Sequence, residues 1–506
     1  MGIRFYNLNG FFVKKLAHGV YYKSCTFFRK TIAMELFGIR KSFNRRNFIG
    51  RGGYLEICRI AYPLIIMSAS NSVMQFVDRW FLAHHSTLDV AAAMPAGILY
   101  FTLFCFFMVT CNFTSAMVAQ YHGAHDRQNL LRAVWAGQTV AVAAGLFITF
   151  IIPVLGLAIL GGTNHNPELV GREMDYFISL LPSGVFVCAA APFYSFFSGQ
   201  GRTLPVAVIN IGGCLLNIPL NWMFIFGHCG LPPLGIYGAG IASSICAGLS
   251  MIAIVIYFYS QNQRKIPTRR RWEFHPDLAL RLFRYGAPAG FQTLVDVGAF
   301  TLLAFLIGDL GPTALAASVI ALSINNIFFV PLTGLADSTA IVVGQYIGRR
   351  RQGIAEKAVY RAWRISAIYA FAGVLIYICF PEALATFFAP QQDSGVNFDE
   401  VVKICTGVLT AAAMFNACDS IKFIFMGGLR GAGDTLAIFL LNSLTAWGVL
   451  VPGMILLTKW YPATIHQVWA FVAFCGFIDA MIFLWRFSSG KWRKIRMIEQ
   501  PAENAR

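Results

Sequence analysis

The residues best placed to do chemistry are a few carboxylates and amides set inside long apolar runs. In the first run, Pro63 to Asp78, the residues Ser68, Asn71, Gln75 and Asp78 recur three and four apart, which puts them on one face of a helix. The other faces carry Leu, Ile, Met, Val and Phe. A charged side chain at bilayer depth costs several kcal/mol, so Asp78 either marks a functional site or pairs with the adjacent Arg79 near the interface. A fifth run holds Asn217-Ile-Pro-Leu-Asn221, two amides one turn apart with Pro219 loosening the backbone between them. With Asp78 they offer one charge and two amide carbonyls, an oxygen set suited to a proton or a small cation such as Na⁺. The amides could equally serve only to bond neighbouring helices.

The seventh run carries Gln292 and Asp296 one turn apart, and the tenth carries Asn416, Asp419, Ser420 and Lys422. Three residues along a helix return to nearly the same face, so Lys422 is expected to be the counter-ion of Asp419. That pairing leaves cation exchange to Asp78 and Asp296. Asp337, near the inner end of the eighth run, is expected to be hydrated, while Asp479 in the twelfth shows no partner in the sequence. Walker A, GxSxG and HExxH motifs are all absent, so neither ATP hydrolysis nor another enzymatic activity is expected. No catalytic residue, cofactor or metal is implied beyond Na⁺ at Asp78.

These side chains need a scaffold that keeps them out of lipid. Of 506 residues, 57% are hydrophobic and 12% charged, about half the charged fraction of soluble domains. Apolar runs of about 20 residues recur from 57 to 485, each long enough to cross a bilayer. The fold class is therefore an all-α polytopic membrane protein. Its twelve helices are expected at 57–82, 91–119, 133–159, 173–198, 203–226, 236–260, 281–308, 314–344, 358–380, 400–427, 433–457 and 465–487.

The net charge of +17 is unevenly spread. Basic residues gather in 1–51, at Arg127 and Arg132, and across 264–284, 349–364 and 486–496, while the intervening loops hold few. This every-other-loop bias places both termini in the cytoplasm of a multi-pass inner-membrane protein and leaves no contiguous basic fold for nucleic acid. Residues 1–56 read as a basic cytoplasmic tail without a cleavable signal. The tail either lies on the inner leaflet or precedes a true start at Met34. Residues 261–284 read as a basic cytoplasmic linker, and 488–506 as a basic cytoplasmic tail. Twelve cysteines lie scattered without a CxxC pair, as expected for small buried hydrophobes.

The halves 57–260 and 285–487 resemble each other. An ungapped shift of 225 places Pro63 on Pro288, Asn71 on Asp296, Phe104 on Phe329, and Gln120-Tyr121-x-Gly123 on Gln345-Tyr346-x-Gly348. A looser match pairs Gly201-Arg-Thr-Leu204 with Gly433-Asp-Thr-Leu436. Six helices per repeat is an even number, so the two lobes share one orientation about a pseudo-two-fold axis along the membrane normal, with a cleft between them.

At this point the chain resembles the multidrug and toxic compound extrusion family, in its NorM-like branch. The likeness covers most of 57–487. It rests on Pro63 to Asp78, Ala119-Gln-Tyr-His-Gly-Ala124, Asn217 to Asn221, Pro288 to Asp296, Val343-Gly-Gln-Tyr-Ile-Gly348, and Asp419 ten residues before Leu429-Arg-Gly-Ala-Gly-Asp434. The resemblance implies an exporter of cationic, aromatic compounds in exchange for Na⁺ or H⁺. It also implies an amino-lobe cation site on Asp78, Asn217 and Asn221 and carboxy-lobe acidic sites on Asp296 and Asp419. Gln292, Phe415 and Lys422 would join the latter at the drug cleft. Three departures stand out: Asp296 replaces a usual Glu, Phe415 replaces a Tyr, and Arg79 and Lys422 add positive charge beside key acids. The expected protein is a monomer in contact with membrane lipid. The alternative within the same superfamily is a flippase for a lipid-linked saccharide, against which the acidic cleft argues.

Overall fold

The computed structural model describes residues 48, 50–163, 165–230, 232–261, 273–387, 398–461 and 463–499. Within lipid every backbone N–H and C=O must be bonded inside the segment, so apolar runs of this length become helices. Twelve helices are long and apolar enough to span: α1 Tyr54–His85, α2 Thr87–Gly123, α3 Arg127–Gly161, α4 Pro167–Gly199, α5 Thr203–Phe226 and α6 Gly235–Ser260. The second half follows with α7 Pro276–Gly308, α8 Thr313–Gly348, α9 Gln352–Cys379, α10 Glu400–Ala432, α11 Thr435–Trp460 and α12 Ile465–Ser488. All twelve fall where the apolar runs predict them.

Local chemistry sets their ends and breaks. Asp126 caps α3 by accepting from Asn129 N at 3.0 Å, and Thr464 with Gln467 forms a reciprocal capping box on α12. Helix α3 breaks at Ile151, just before Pro153, whose ring cannot continue the hydrogen-bond ladder. Helix α11 winds into π turns at 446–450 and 456–460, on either side of a short α segment containing Pro452. Helix α7 starts at Pro276, so its first turns occupy the carboxy end of the expected 261–284 linker. The basic tail up to residue 47, Met34 included, and residues 262–272 and 500–506 lie outside the described residues.

The lobes interlock at the ends carrying the basic loops, called inner here. The inner half of α1 leaves its own lobe: Ile57, Ile60, Ala61 and Leu64 are buried with Leu335, Tyr346, Ile424 and Leu429. In the mirrored arrangement Leu282 of α7 is buried with Phe113, Met117 and Leu130 of the amino lobe. Glycine makes both crossings possible. A Cβ on Gly334 would stand 2.7 Å from Ile65, and one on Gly290 would stand 2.6 Å from the Phe106 carbonyl oxygen.

Two glutamines related by the repeat complete the seam. Gln120 Nε2 donates to the Gly431 carbonyl at 3.0 Å, and Gln345 Nε2 donates to the Gly199 carbonyl at 2.9 Å. Beside them α2 and α8 touch backbone to backbone. A Cβ on Gly123 would lie 2.0 Å from Gln345 O, and one on Gly348 would lie 1.9 Å from Gln120 O.

The chain after α12 crosses this seam as a strap. Trp492 stacks on Phe487 of the carboxy lobe, with ring centroids 5.1 Å apart. Met497 and Ile498 are buried among Met117, Tyr121, Leu130 and Leu131 of the amino lobe, and Glu499 pairs with Arg281. Residues 491–499 are thus packed structure within the stretch whose composition reads as a basic tail.

Candidate functional site

Helix α1 presents Asp78 to α5. Asp78 is 8% exposed, and Asn217 and Asn221 are fully buried. The Asn221 amide nitrogen donates to Asp78 Oδ1 at 2.5 Å and to Asn217 Oδ1 at 2.8 Å, while Asn217 Nδ2 faces Ser243 Oγ of α6 at 3.5 Å. Four-residue spacing stacks the two amides on one face, and burial forces them to bond each other or the carboxylate. The structure therefore joins the three residues that the sequence groups together. Two turns nearer the inner end, Asn71 Oδ1 faces Cys214 Sγ of α5 at 3.5 Å, so part of the polar stripe follows the same helix. Gln75 and Arg79 are exposed, and Arg79 makes no ion pair with Asp78. Among the described residues Asp78 has only neutral partners, and the Oδ1 of Asn221 has none. A carboxylate held in this way has no fixed counter-charge within bonding distance.

In the carboxy lobe Asp296 is also clamped by amides. Gln292 Nε2 donates to its Oδ2 at 3.2 Å and Asn442 Nδ2 to its Oδ1 at 2.6 Å. Sequence reasoning missed Asn442. The signal was present in the looser Gly201/Gly433 match, an offset of 232 that places Asn210 on Asn442, while the shift of 225 places Asn71 on Asp296. Trp447, one turn beyond, donates to the Val295 carbonyl at 3.3 Å and lies over Gly298.

The expected Lys422–Asp419 pair does not form. Lys422 Nζ instead bonds Asp479 Oδ2 of α12 at 2.8 Å, which also supplies the partner Asp479 lacked in the sequence. Spacing along one helix shows which side chains share a face, but not which neighbouring helix offers a better acceptor across it. Asp419, 4% exposed, makes no hydrogen bond or ion pair with any described residue. Phe415 packs over Gly476 of α12, where a Cβ would stand 2.8 Å from its ring. Asp337 sits half exposed beside Arg430 at 3.4 Å, as a hydrated pair would.

Two repeated six-helix lobes, without a strand among the described residues and each holding an amide-clamped carboxylate within the apolar span, define a multi-pass membrane transporter. A family model described as MatE matches residues 63–223 and 288–455. The probable multidrug resistance protein NorM of Pseudomonas putida is 30% identical over 79% of this chain and 87% of its own length. The multidrug resistance protein PmpM of Pseudomonas aeruginosa is 28% identical over 80% of this chain and 84% of its own. The multidrug resistance protein NorM of Aliivibrio fischeri is 25% identical over 82% and 90%. Among solved structures, the outward-facing conformation of a multidrug resistance MATE family transporter of the MOP superfamily superposes with a TM-score of 0.79. It does so at 18% identity, over 86% of this chain and 96% of that one, and so shares the fold. The chain belongs to the MatE family of multidrug efflux transporters; it is a transporter and not an enzyme.

Proposed function

We propose that this protein exports amphipathic organic cations across a bacterial inner membrane in exchange for Na⁺ or H⁺, by alternating access of its two lobes, as a monomer with both termini cytoplasmic. The observation that carries the reading is Asp78, a buried carboxylate with two neutral amides and no fixed counter-charge within bonding distance. Occupation by a proton or cation removes that charge, and a half-turn of the Asn221 amide would bring its unpartnered oxygen to a bound cation. Coupling requires only that ion and drug favour different arrangements of the lobes. The interlocked inner ends support a resting arrangement closed toward the basic loops. The flippase reading gains nothing from the geometry, since Asp78, Asp296 and Asp419 make the interior acidic.

The test is drug efflux from proteoliposomes under separately imposed Na⁺ and H⁺ gradients. Asp78→Asn is expected to insert and fold yet lose ion-driven export, because its neutral side chain cannot cycle a charge. Wild-type rates in Asp78→Asn would sink the reading.

A further inference from the structure

In the carboxy lobe three carboxylates, Asp479, Asp296 and Asp419, lie within electrostatic reach of one ammonium, that of Lys422. Lys422 and Asp479 meet at 2.8 Å with 15% and 14% of their side chains exposed. The charge of Lys422 also acts on Asp296 and Asp419. Around this group several buried acceptors lack a partner: Oδ1 of Asp479, Oε1 of Gln292 and Oδ1 of Asn442. Gln292 and Asn442 are 3% and 1% exposed, so neither oxygen is answered by bulk water. Three carboxylates, Asp419 buried and Asp296 and Asp479 partly buried, form with the spare amide oxygens an oxygen-rich environment that would draw a free monovalent cation. The amino lobe contrasts with this, because no lysine or arginine pairs with Asp78.

We propose that Lys422 is a specificity-determining residue: tethered by Asp479, its ammonium stands in for a free cation beside Asp419 and Asp296 and keeps Na⁺ out of the carboxy lobe. A tethered ammonium compensates charge as Na⁺ would, but it cannot leave with the transport cycle. Exchange is then confined to Asp78. The inference rests on the exporter reading and deepens it by assigning the exchanging ion to one lobe, through Lys422 and Asp479, which that reading does not use.

Removing Lys422 alone would strand Asp479, whereas replacing both members of a buried pair is commonly tolerated. The informative variant is therefore Lys422→Gln with Asp479→Asn, in the full-length protein in nanodiscs, with ²²Na⁺ binding measured at alkaline pH. The double variant is expected to bind one more Na⁺ per molecule than wild type, and adding Asp419→Asn should remove that gain. Lys422→Arg, which keeps the charge, should bind as wild type does. A folded double variant that binds no more Na⁺ than wild type overturns the proposal. If the double variant fails to fold, Lys422→Met with Asp479→Leu supports the same comparison. Loss of wild-type binding in Asp78→Asn tests the exporter reading separately, because the gain is scored as a difference that does not depend on Asp78.

Discussion

The seam between the lobes offers the sharpest mutational test of how the molecule switches. Gln120→Ala removes the donor to the Gly431 carbonyl, a buried bond of 3.0 Å. A buried carbonyl left unpaired costs about 1–3 kcal/mol. Once the inner ends separate, water can bond that carbonyl, so the penalty falls on the closed arrangement alone. At about 1.4 kcal/mol per factor of ten, the variant should shift the equilibrium toward the inner-open arrangement by about 5–150-fold. Gln345→Ala should act in the same direction through Gly199. The two shifts should not add fully, because Gly123 sits directly against Gln345 and the sites share that contact.

The assay is a distance distribution between spin labels at Arg127 and Gly353, at the inner ends of the two lobes. Arg127 is exposed, and nothing lies within 4 Å of a Cβ built on Gly353. Cys58, Cys229 and Cys379, exposed among the described residues, would first be replaced by Ser, as would Cys25, which lies outside them. A rise in the long-distance population is expected in both single variants. Unchanged distributions in both, with folding intact, would show that these bonds do not hold the seam closed.

Two further outcomes follow from the packing. Deleting residues 490–506 removes Trp492, Met497 and Ile498 from both cores, each side chain contributing about 1.5–3 kcal/mol of burial, so thermal unfolding in detergent should shift downward by several degrees; an unchanged midpoint would mean the strap is not part of the folded core. Asn442→Ala takes from Asp296 a bond to a charged group worth about 1.5–3 kcal/mol, so the unfolding midpoint should drop by a few degrees while insertion holds, and efflux should fall well below wild type; wild-type efflux would show that Asp296 does not need the clamp.

The spans and the amino-lobe site were legible in the sequence for a physical reason. Lipid demands a long apolar run for every helix, and it forces each polar side chain within one to turn inward. Asp78, Asn217 and Asn221 therefore had little choice but to meet, and they do. What stayed hidden depends on how helices face one another. Lys422 reads as a partner of Asp419 three residues before it, yet it bonds Asp479, 57 residues later on α12. Residues 491–499 look like a tail because their charges dominate the composition, while Trp492, Met497 and Ile498 settle where the packing lies. The inner crossings of α1 and α7 rest on Gly290 and Gly334, whose need for close approach shows only once Phe106 and Ile65 are seen opposite them.

The repeat also explains why two lobes of one fold need not do the same work. The fifth helices of the two lobes start at Thr203 and Thr435, 232 apart, so Asn210 falls on Asn442 and each lobe keeps an amide at the same place in its fifth helix. The carboxylates do not correspond: in the shift of 225 Asp78 falls on Leu303, and Asp296 falls on Asn71. Seven residues of helix separate the two depths, about 10 Å along the membrane normal. In the fifth-helix match Asn221, which donates to Asp78, falls on Gly453, so the carboxy lobe lacks both the acid and its donor at that depth. The joint loss is what burial requires, since an ionised carboxylate without a donor, or an amide without an acceptor, is costly in a dry interior. Leu303 is accordingly packed into the carboxy-lobe core, 3% exposed, with no polar group to satisfy. The scaffold is repeated while the charge is moved, so an ion and an organic cation entering one cleft would meet carboxylates at two depths. One of those depths carries a built-in ammonium nearby, and the other carries none.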